Sequence, residues 1–240
     1  MRPRLRVTRS VIPNLFTAMN MFSGFLSIVN ASQGNFYYAA WLIIVAAIFD
    51  ALDGAVARLT KSSSELGVEL DSLSDIVSFG AAPAFLIYQT SLHSNETLGI
   101  LVAASLVLAG GFRLARFNVQ LVGFDKSYFS GLPIPISAIT ISSFILSYYE
   151  IPEGFITPFS EIVIPLVIIL SLIMISKIKY DTIPKPTKEE FRKNPILFLI
   201  ILFGAAAAII TSGKAIFLIF VLYILFGIFR YIFTLFVKKT

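Results

Sequence analysis

Apolar segments of about 20 residues recur along this chain, which is the length a helix needs to cross the hydrocarbon core of a bilayer. Eight such segments are separated by short polar or charged stretches. The chain is 57% hydrophobic and only 14% charged, whereas soluble globular domains carry about 25% charged residues. Because backbone polar groups in lipid must be satisfied within the spanning segment, these stretches predict helices. The expected fold is an all-α integral membrane protein with about eight transmembrane helices.

Lysine and arginine residues are distributed unevenly over the predicted loops. Eighteen of the nineteen fall on one side of the eight-span arrangement, and only Lys214 falls on the other. Since cytoplasmic loops are enriched in basic residues, both termini are predicted to be cytoplasmic, in a protein of the inner (cytoplasmic) membrane. This arrangement also explains the net charge of +5, so nucleic acid is not expected as a partner.

Four aspartates interrupt the hydrophobic pattern at helical spacing. Asp50 and Asp53 are three residues apart near the end of the second span, and Asp71 and Asp75 are four apart near the start of the third. Each pair therefore lies on one face of a helix, toward the cytoplasmic side. One such aspartate could be only a helix-end charge at the interface. Four with matched spacing favour a functional site, because charge at membrane depth is costly.

The chemistry of four neighbouring carboxylates points to cations. They repel each other unless cations or protons intervene, and oxygen-only ligands suit Mg²⁺, Mn²⁺ or Ca²⁺. Two facing helices could hold two ions, which is an arrangement used for phosphoryl displacement. Arg58, Arg113 and Arg116 lie on the same side and could bind phosphate or carboxylate groups, or could only anchor helices at the interface.

Small and polar residues accompany the aspartates. Gly54 and Ala57 share a face with the first aspartate pair, where they would let a flat ligand or a neighbouring helix approach closely. Asn14 and Thr17 share a face of the first span. They could form hydrogen bonds between helices or contact a substrate, and the residues alone favour the first of these.

The spacing of these residues resembles that of a known family. The pattern Asp50-x₂-Asp53-Gly54-x₂-Ala57-Arg58-x₈-Gly67-x₃-Asp71-x₃-Asp75 is similar to the full signature of the CDP-alcohol phosphatidyltransferases. The resemblance implies that an alcohol hydroxyl displaces CMP from a CDP-linked lipid, at a site facing the cytosol. It also suggests a homodimer.

The resemblance further implies roles for single residues. Asp50, Asp53 and Asp71 would hold two divalent cations, Mg²⁺ or Mn²⁺ with Ca²⁺ possible, and Asp75 would be both a metal ligand and the catalytic general base. The residues expected to bind the CDP-lipid are Asn14, Thr17, Gly54, Ala57, Arg58 and Gly67.

Four other segments resemble the serine-using branch of that family. This implies CDP-diacylglycerol and L-serine as substrates, and Arg113, Arg116 and Asn118 are the candidates for binding serine. The segments are PNLFTAMNMFSG in the first span, RLARFN (113–118), GLPIP (131–135) and SKIKY (176–180).

Several alternatives remain open on the sequence. The acceptor could be glycerol-3-phosphate or inositol phosphate, and the donor could carry archaeal ether-linked tails. A divalent-cation transporter is a rival of another class, although transport sites normally lie near the bilayer centre between repeats. A non-catalytic membrane scaffold is a second rival.

The predicted domain organisation follows the spans and the charges. The ranges are 1–10 for a cationic cytoplasmic segment, 11–178 for a six-helix catalytic core, 179–194 for a basic cytoplasmic loop, and 195–240 for two additional helices and a basic C-terminus.

Overall fold

The structure is a computed structural model that describes residues 11–60, 64–94, 96–121, 128–181, 211 and 214–237. The N-terminal segment 1–10, most of the basic loop and the predicted seventh span at 195–211 lie outside these residues. Eight α-helices account for most of the described chain. Their bounds are α1 Val11–Ser32, α2 Phe36–Thr60, α3 Glu65–Asp75, α4 Ala82–Thr90, α5 Glu96–Leu121, α6 Ile134–Tyr148, α7 Phe159–Ile175 and α8 Lys214–Val237.

Helix length and hydropathy support the membrane assignment. Among the described residues, five helical stretches are long and apolar enough to cross a bilayer: 11–32, 36–60, 65–90, 96–119 and 214–234. Helices α6 and α7 are apolar but shorter, with 15 and 17 residues. The protein is therefore an all-α membrane protein, while the count of eight spans and the side of the termini stay predictions.

The predicted third span is not a continuous α-helix. It begins at the N-cap Ser64, whose Oγ accepts a hydrogen bond from the Gly67 N–H at 3.0 Å. After α3 the backbone follows a π-helical segment, Ile76–Ala81, in which hydrogen bonds reach one residue further back. Pro83, at the start of α4, has no N–H to continue a regular ladder. The irregularity lies where Pro83 predicts a kink, directly after Asp75.

Helix α1 packs closely against α2 and also contacts α3 and the π-helical segment. Small side chains allow this approach: Ala39 and Ala40 are fully buried, and the Ser27 hydroxyl donates to the Ala39 carbonyl at 2.8 Å. Helix α6 is buried along most of its length, whereas large apolar side chains such as Phe112 and Phe229 stay exposed. Exposed phenylalanines of this kind suit a surface that faces lipid.

Two short antiparallel ribbons join helix ends, and the sequence did not predict them. One pairs β1 (Tyr128–Ser130) with β4 (Lys179–Asp181), and the other pairs β2 (Tyr149–Glu150) with β3 (Gly154–Phe155). Gly131 follows β1 at a φ of +87°, and a Cβ there would collide with the Met174 carbonyl oxygen. Only glycine therefore fits this turn.

Strand β4 is also the docking point of the last helix. Tyr180 is 1% exposed, and its ring lies so close to Gly227 of α8 that a Cβ on this glycine would overlap it. The Arg230 guanidinium donates a hydrogen bond to the Lys179 carbonyl at 2.6 Å. Helix α8 is thus fixed at the end of the chain segment that leaves α7.

Candidate active site

A threonine of α1 forms a hydrogen bond with one member of the first aspartate pair. The Thr17 hydroxyl lies 2.9 Å from Asp53 Oδ2 and 3.2 Å from the Pro13 carbonyl oxygen. Both Thr17 and Asp53 are buried, at 3% and 6% exposure. Because a hydrogen bond to a buried carboxylate stabilises its charged form, the Thr17 hydroxyl favours the anionic form of Asp53.

Three of the four aspartates converge on one point between α2 and α3. Asp50, Asp53 and Asp71 each offer a carboxylate oxygen, and these three oxygens lie within 4.8 Å of one another. Asp71 Oδ1 is buried and has no hydrogen-bond partner among the described residues. A cation between the carboxylates would satisfy that oxygen and offset the repulsion, so the donor set fits a hard divalent ion.

Asp75 lies outside the oxygen cluster of these three aspartates. It is buried, at 8% exposure, and the Asn20 amide donates to its Oδ1 at 3.4 Å. Its carboxylate still interacts electrostatically with Asp50 and Asp71, and with the guanidinium of Arg113. The four aspartates therefore form one charged group, in which Asp75 has a separate, buried place.

A cleft that opens to the protein surface adjoins the carboxylate cluster. Five of the six residues predicted to bind the CDP-lipid line it, whereas Arg58 does not. Arg58 is exposed, with one guanidinium nitrogen 3.3 Å from the point that a Cβ on Gly54 would occupy. The lining residues are Pro13, Asn14, Thr17, Asp53, Gly54, Ala57, Ser64, Gly67, Val68 and Asp71.

The three residues predicted to bind serine have different environments. Arg113 is 6% exposed and interacts electrostatically with Asp75 and Asp50. The Arg116 guanidinium instead donates to carbonyl oxygens at the end of α7, including Ile175 at 2.9 Å. The Asn118 amide donates to the Ser72 hydroxyl at 2.9 Å. Arg113 therefore combines a buried position with an electrostatic interaction that reaches two of the aspartates.

Sequence reasoning missed four polar residues that shape this site. Ser64 caps α3 and lines the cleft, while Asn20, Ser74 and Ser78 join α1 to the aspartate-bearing helix. Their signal was present, because Ser74 and Ser78 are four apart, a spacing that places them on one helix face. Serine in a membrane helix commonly bonds to its own backbone, so that spacing alone did not identify a partner.

Comparisons with known proteins identify the family to which the sequence is similar. The family described as CDP-alcohol phosphatidyltransferase matches residues 10–175. The chain is 35% identical over 225 residues to a Helicobacter pylori protein named CDP-diacylglycerol–serine O-phosphatidyltransferase, covering 93% of this chain and 92% of that protein. A Methanocaldococcus jannaschii protein of the same name is 35% identical over 223 residues, which cover 92% of this chain and 94% of the relative.

A further relative carries a different name. The archaetidylserine synthase of Methanothermobacter thermautotrophicus is 43% identical over 176 residues, which are 72% of this chain and 70% of that protein. The family match covers more than half of the chain and includes all four aspartates. This chain belongs to the CDP-alcohol phosphatidyltransferase family.

Proposed function

We propose that this protein is a CDP-diacylglycerol–serine O-phosphatidyltransferase, which forms phosphatidylserine and releases CMP. The observation that carries the proposal is the cluster of three carboxylate oxygens within 4.8 Å, beside a cleft lined by glycine, alanine and small polar residues. Relatives with this activity in their names match more than nine tenths of the chain. Membership of a transferase family leaves the transporter and scaffold alternatives without support.

The proposed nucleotide site is the cleft between α1, α2 and α3. Gly54, Ala57 and Gly67 have little or no side chain, so a flat cytosine ring and its ribose could approach the helix backbones there. Asn14 and Thr17 of α1 add polar groups to the lining of the cleft. Arg58 at the exposed end of α2 is positioned to attract the diphosphate.

The same carboxylates would hold the cofactor. Asp50, Asp53, Asp71 and Asp75 are proposed to bind two divalent cations, with Mg²⁺ or Mn²⁺ expected and Ca²⁺ compatible with the oxygen donors. When bound, the cations would neutralise negative charge on the diphosphate and on the departing CMP.

Asp75 is proposed to act as the general base. The serine hydroxyl gives its proton to the Asp75 carboxylate while its oxygen attacks the phosphorus that carries the lipid. A new oxygen–phosphorus bond forms, the bond to CMP breaks, and CMP leaves with the electron pair. The enclosed position of Asp75, at 8% exposure, supports this role because it limits competition from bulk water.

Three residues are proposed to recognise serine. Arg113, Arg116 and Asn118 remain the candidates, and the electrostatic interaction of Arg113 with Asp75 favours this arginine for the serine carboxylate. The contacts of Arg116 with α7 and of Asn118 with Ser72 give those two residues structural tasks as well.

An ether-linked lipid donor is the second candidate. The archaetidylserine synthase, at 43% identity, supports it, because that name implies the same acceptor and a different lipid. The two donors share the CDP group that the cleft would bind, and their tails would lie among lipid.

The setting of the site is also proposed. We place eight spans in the inner membrane with both termini and the active site on the cytosolic side, since the basic residues cluster there. The proposed catalytic core is 11–178, preceded by the cationic segment 1–10 and followed by the basic loop 179–194 and the additional helices of 195–240. A homodimer is the expected assembly.

A substrate panel tests the activity. Purified protein with Mn²⁺ and CDP-diacylglycerol should release CMP when serine is added, but not with glycerol-3-phosphate or inositol phosphate. Replacing the donor with its ether-linked counterpart compares the two lipid classes. Release with either phosphate-bearing alcohol, and none with serine, would move the protein to another acceptor specificity.

A further inference from the structure

Two serine hydroxyls, one in α3 and one in the π-helical segment that follows it, donate hydrogen bonds to the backbone of α1. Ser74 donates to the Thr17 carbonyl oxygen at 3.1 Å, and Ser78 donates to the Asn20 carbonyl oxygen at 2.9 Å. Both serines are fully buried. They flank Asp75 in sequence, so the position of this aspartate relative to α1 is fixed on both sides.

The contact is unusually close because of a glycine. A Cβ on Gly24 would lie 2.6 Å from the Ser78 Cα, a separation that real side chains do not tolerate. Gly24 lies four residues after Asn20, on the same face of α1. The face of α1 that carries Asn20 is therefore held directly against the backbone that follows Asp75.

Asn20 itself projects into this interface. It is completely buried, and its Nδ2 lies 3.4 Å from Asp75 Oδ1. The reverse orientation of the amide would place its oxygen against the carboxylate, where both atoms are acceptors. Asn20 Oδ1 has no hydrogen-bond partner among the described residues. Leaving a buried acceptor unpaired costs stability, so this asparagine is not explained by stability alone, and its contact with Asp75 points to a task that involves the carboxylate.

From this geometry we propose that Asn20 is a positioning residue, which fixes the orientation of the Asp75 carboxylate. The proposal rests on the proposed function for its catalytic meaning, because Asp75 is the base of that reaction. Asn20 does not line the cleft, so it is expected to act through Asp75 and not by touching the CDP-lipid.

The test compares two asparagines of the same helix. Asn20→Ala removes the amide beside Asp75. Asn30→Ala is the matched control, because the hydrogen bond that Asn30 donates among the described residues goes to the Leu26 carbonyl of its own helix, at 2.8 Å. With serine as acceptor, Asn20→Ala should lower kcat by about 10- to 100-fold, as loss of an orienting partner commonly does. KM for CDP-diacylglycerol should stay within about twofold in both variants if Asn20 acts only through Asp75. If Asn20→Ala does not accumulate, Asn20→Ser takes its place.

A kcat unchanged in Asn20→Ala, or lowered equally in Asn30→Ala, would overturn the positioning role. A double-mutant cycle of Asn20→Ala and Asp75→Ala, in which the melting temperature of each variant is measured, does not depend on enzymatic activity. The two shifts should not add if the side chains interact, whereas strict additivity would contradict the contact. A parent protein that is inactive with serine would refute the proposed function alone, since the cycle still decides whether Asn20 and Asp75 are coupled.

Discussion

Thr17 of α1 contacts Asp53, one of the metal ligands proposed on α2. Replacing Thr17 with valine keeps the shape of the side chain but removes the hydroxyl that lies 2.9 Å from Asp53 Oδ2. We expect the affinity for Mn²⁺ to fall about tenfold or more, because ligands that lose an orienting partner bind metal less well. Titration of Mn²⁺ followed by electron paramagnetic resonance measures this change.

Thr17→Ser is the control for that substitution. It keeps the hydroxyl and should bind Mn²⁺ nearly as well as the parent protein. Equal affinities in Thr17→Val and the parent would show that Asp53 needs no support from α1.

At the scale of single residues, the sequence identified the charged groups but not what holds them. Asp50, Asp53 and Asp71 are predictable, because charge within an apolar segment stands out and its spacing gives the shared face. The contacts of Asn20 and Thr17 are not, since they depend on how α1 is rotated against two other helices. Hydropathy does not encode that rotation.

At the scale of helices, α1 packs so closely on the segment after Asp75 that adding one methyl group at Gly24 should lower the stability of the protein. Gly24→Ala would place a Cβ 2.6 Å from the Ser78 Cα, which belongs to the backbone and cannot rotate away. We expect a loss of about 1–3 kcal/mol of stability, the usual effect of overpacking, together with reduced CMP release. Thermal unfolding in detergent and the CMP assay measure the two effects.

Gly111→Ala provides the comparison for Gly24→Ala. A Cβ on Gly111 would meet only the flexible end of Ile76, at an ordinary distance of 3.7 Å. This variant should be as stable as the parent or slightly more so, since alanine favours helix over glycine. Similar melting temperatures for the two variants would mean that α1 and the Ser78 backbone are not in close contact.

The docking of α8 on β4 predicts a dependence on pH. Burial, with a contribution from Tyr223, raises the pKa of Tyr180 to about 12, above the value of about 10 for an unfolded tyrosine. Between these values the unfolded chain loses the proton and the folded protein keeps it, so stability falls as pH rises from about 10 to about 12. The fall in melting temperature over this range should be smaller in Tyr180→Phe than in the parent. Equal falls would show that Tyr180 is not buried against Gly227.

The long helices were largely predictable from the sequence, whereas the π-helical segment and the β-ribbons between helices were not. Runs of apolar residues predicted long helices where α1, α2 and α5 are found, because the thickness of a bilayer sets a minimum length. The π-helical segment and the ribbon of β1 and β4 depend on contacts between distant parts of the chain, such as the Gly131 N–H with the Ile178 carbonyl at 2.8 Å. Local periodicity carries no signal for such contacts.

At the scale of the whole molecule, the absence of cysteine makes the proposed orientation easy to test. Single cysteines at Glu65, before the aspartates of α3, and at Glu153, between α6 and α7, occupy exposed positions. An impermeant maleimide is added to spheroplasts, in which the inner membrane is intact and exposed. It should label Glu153→Cys and leave Glu65→Cys unlabelled. The opposite pattern would place the carboxylates on the outer side and separate them from cytosolic CDP-lipid and serine.

At the site formed by the carboxylates of α2 and α3, the proposed reaction transfers a phosphatidyl group from CDP-diacylglycerol to serine. The most direct measurement is the incorporation of isotopically labelled serine into phospholipid, followed by mass spectrometry. The purified protein is supplied with CDP-diacylglycerol and Mn²⁺. The parent protein is compared with Asp75→Asn and with the control Glu161→Gln. We expect labelled phosphatidylserine from the parent and from Glu161→Gln, whose glutamate is exposed at the start of α7. In Asp75→Asn we expect a loss of about 10²- to 10⁴-fold, the range associated with a general base. Full activity in Asp75→Asn would refute the role of Asp75 as the base, and no labelled lipid from the parent would refute the proposed reaction.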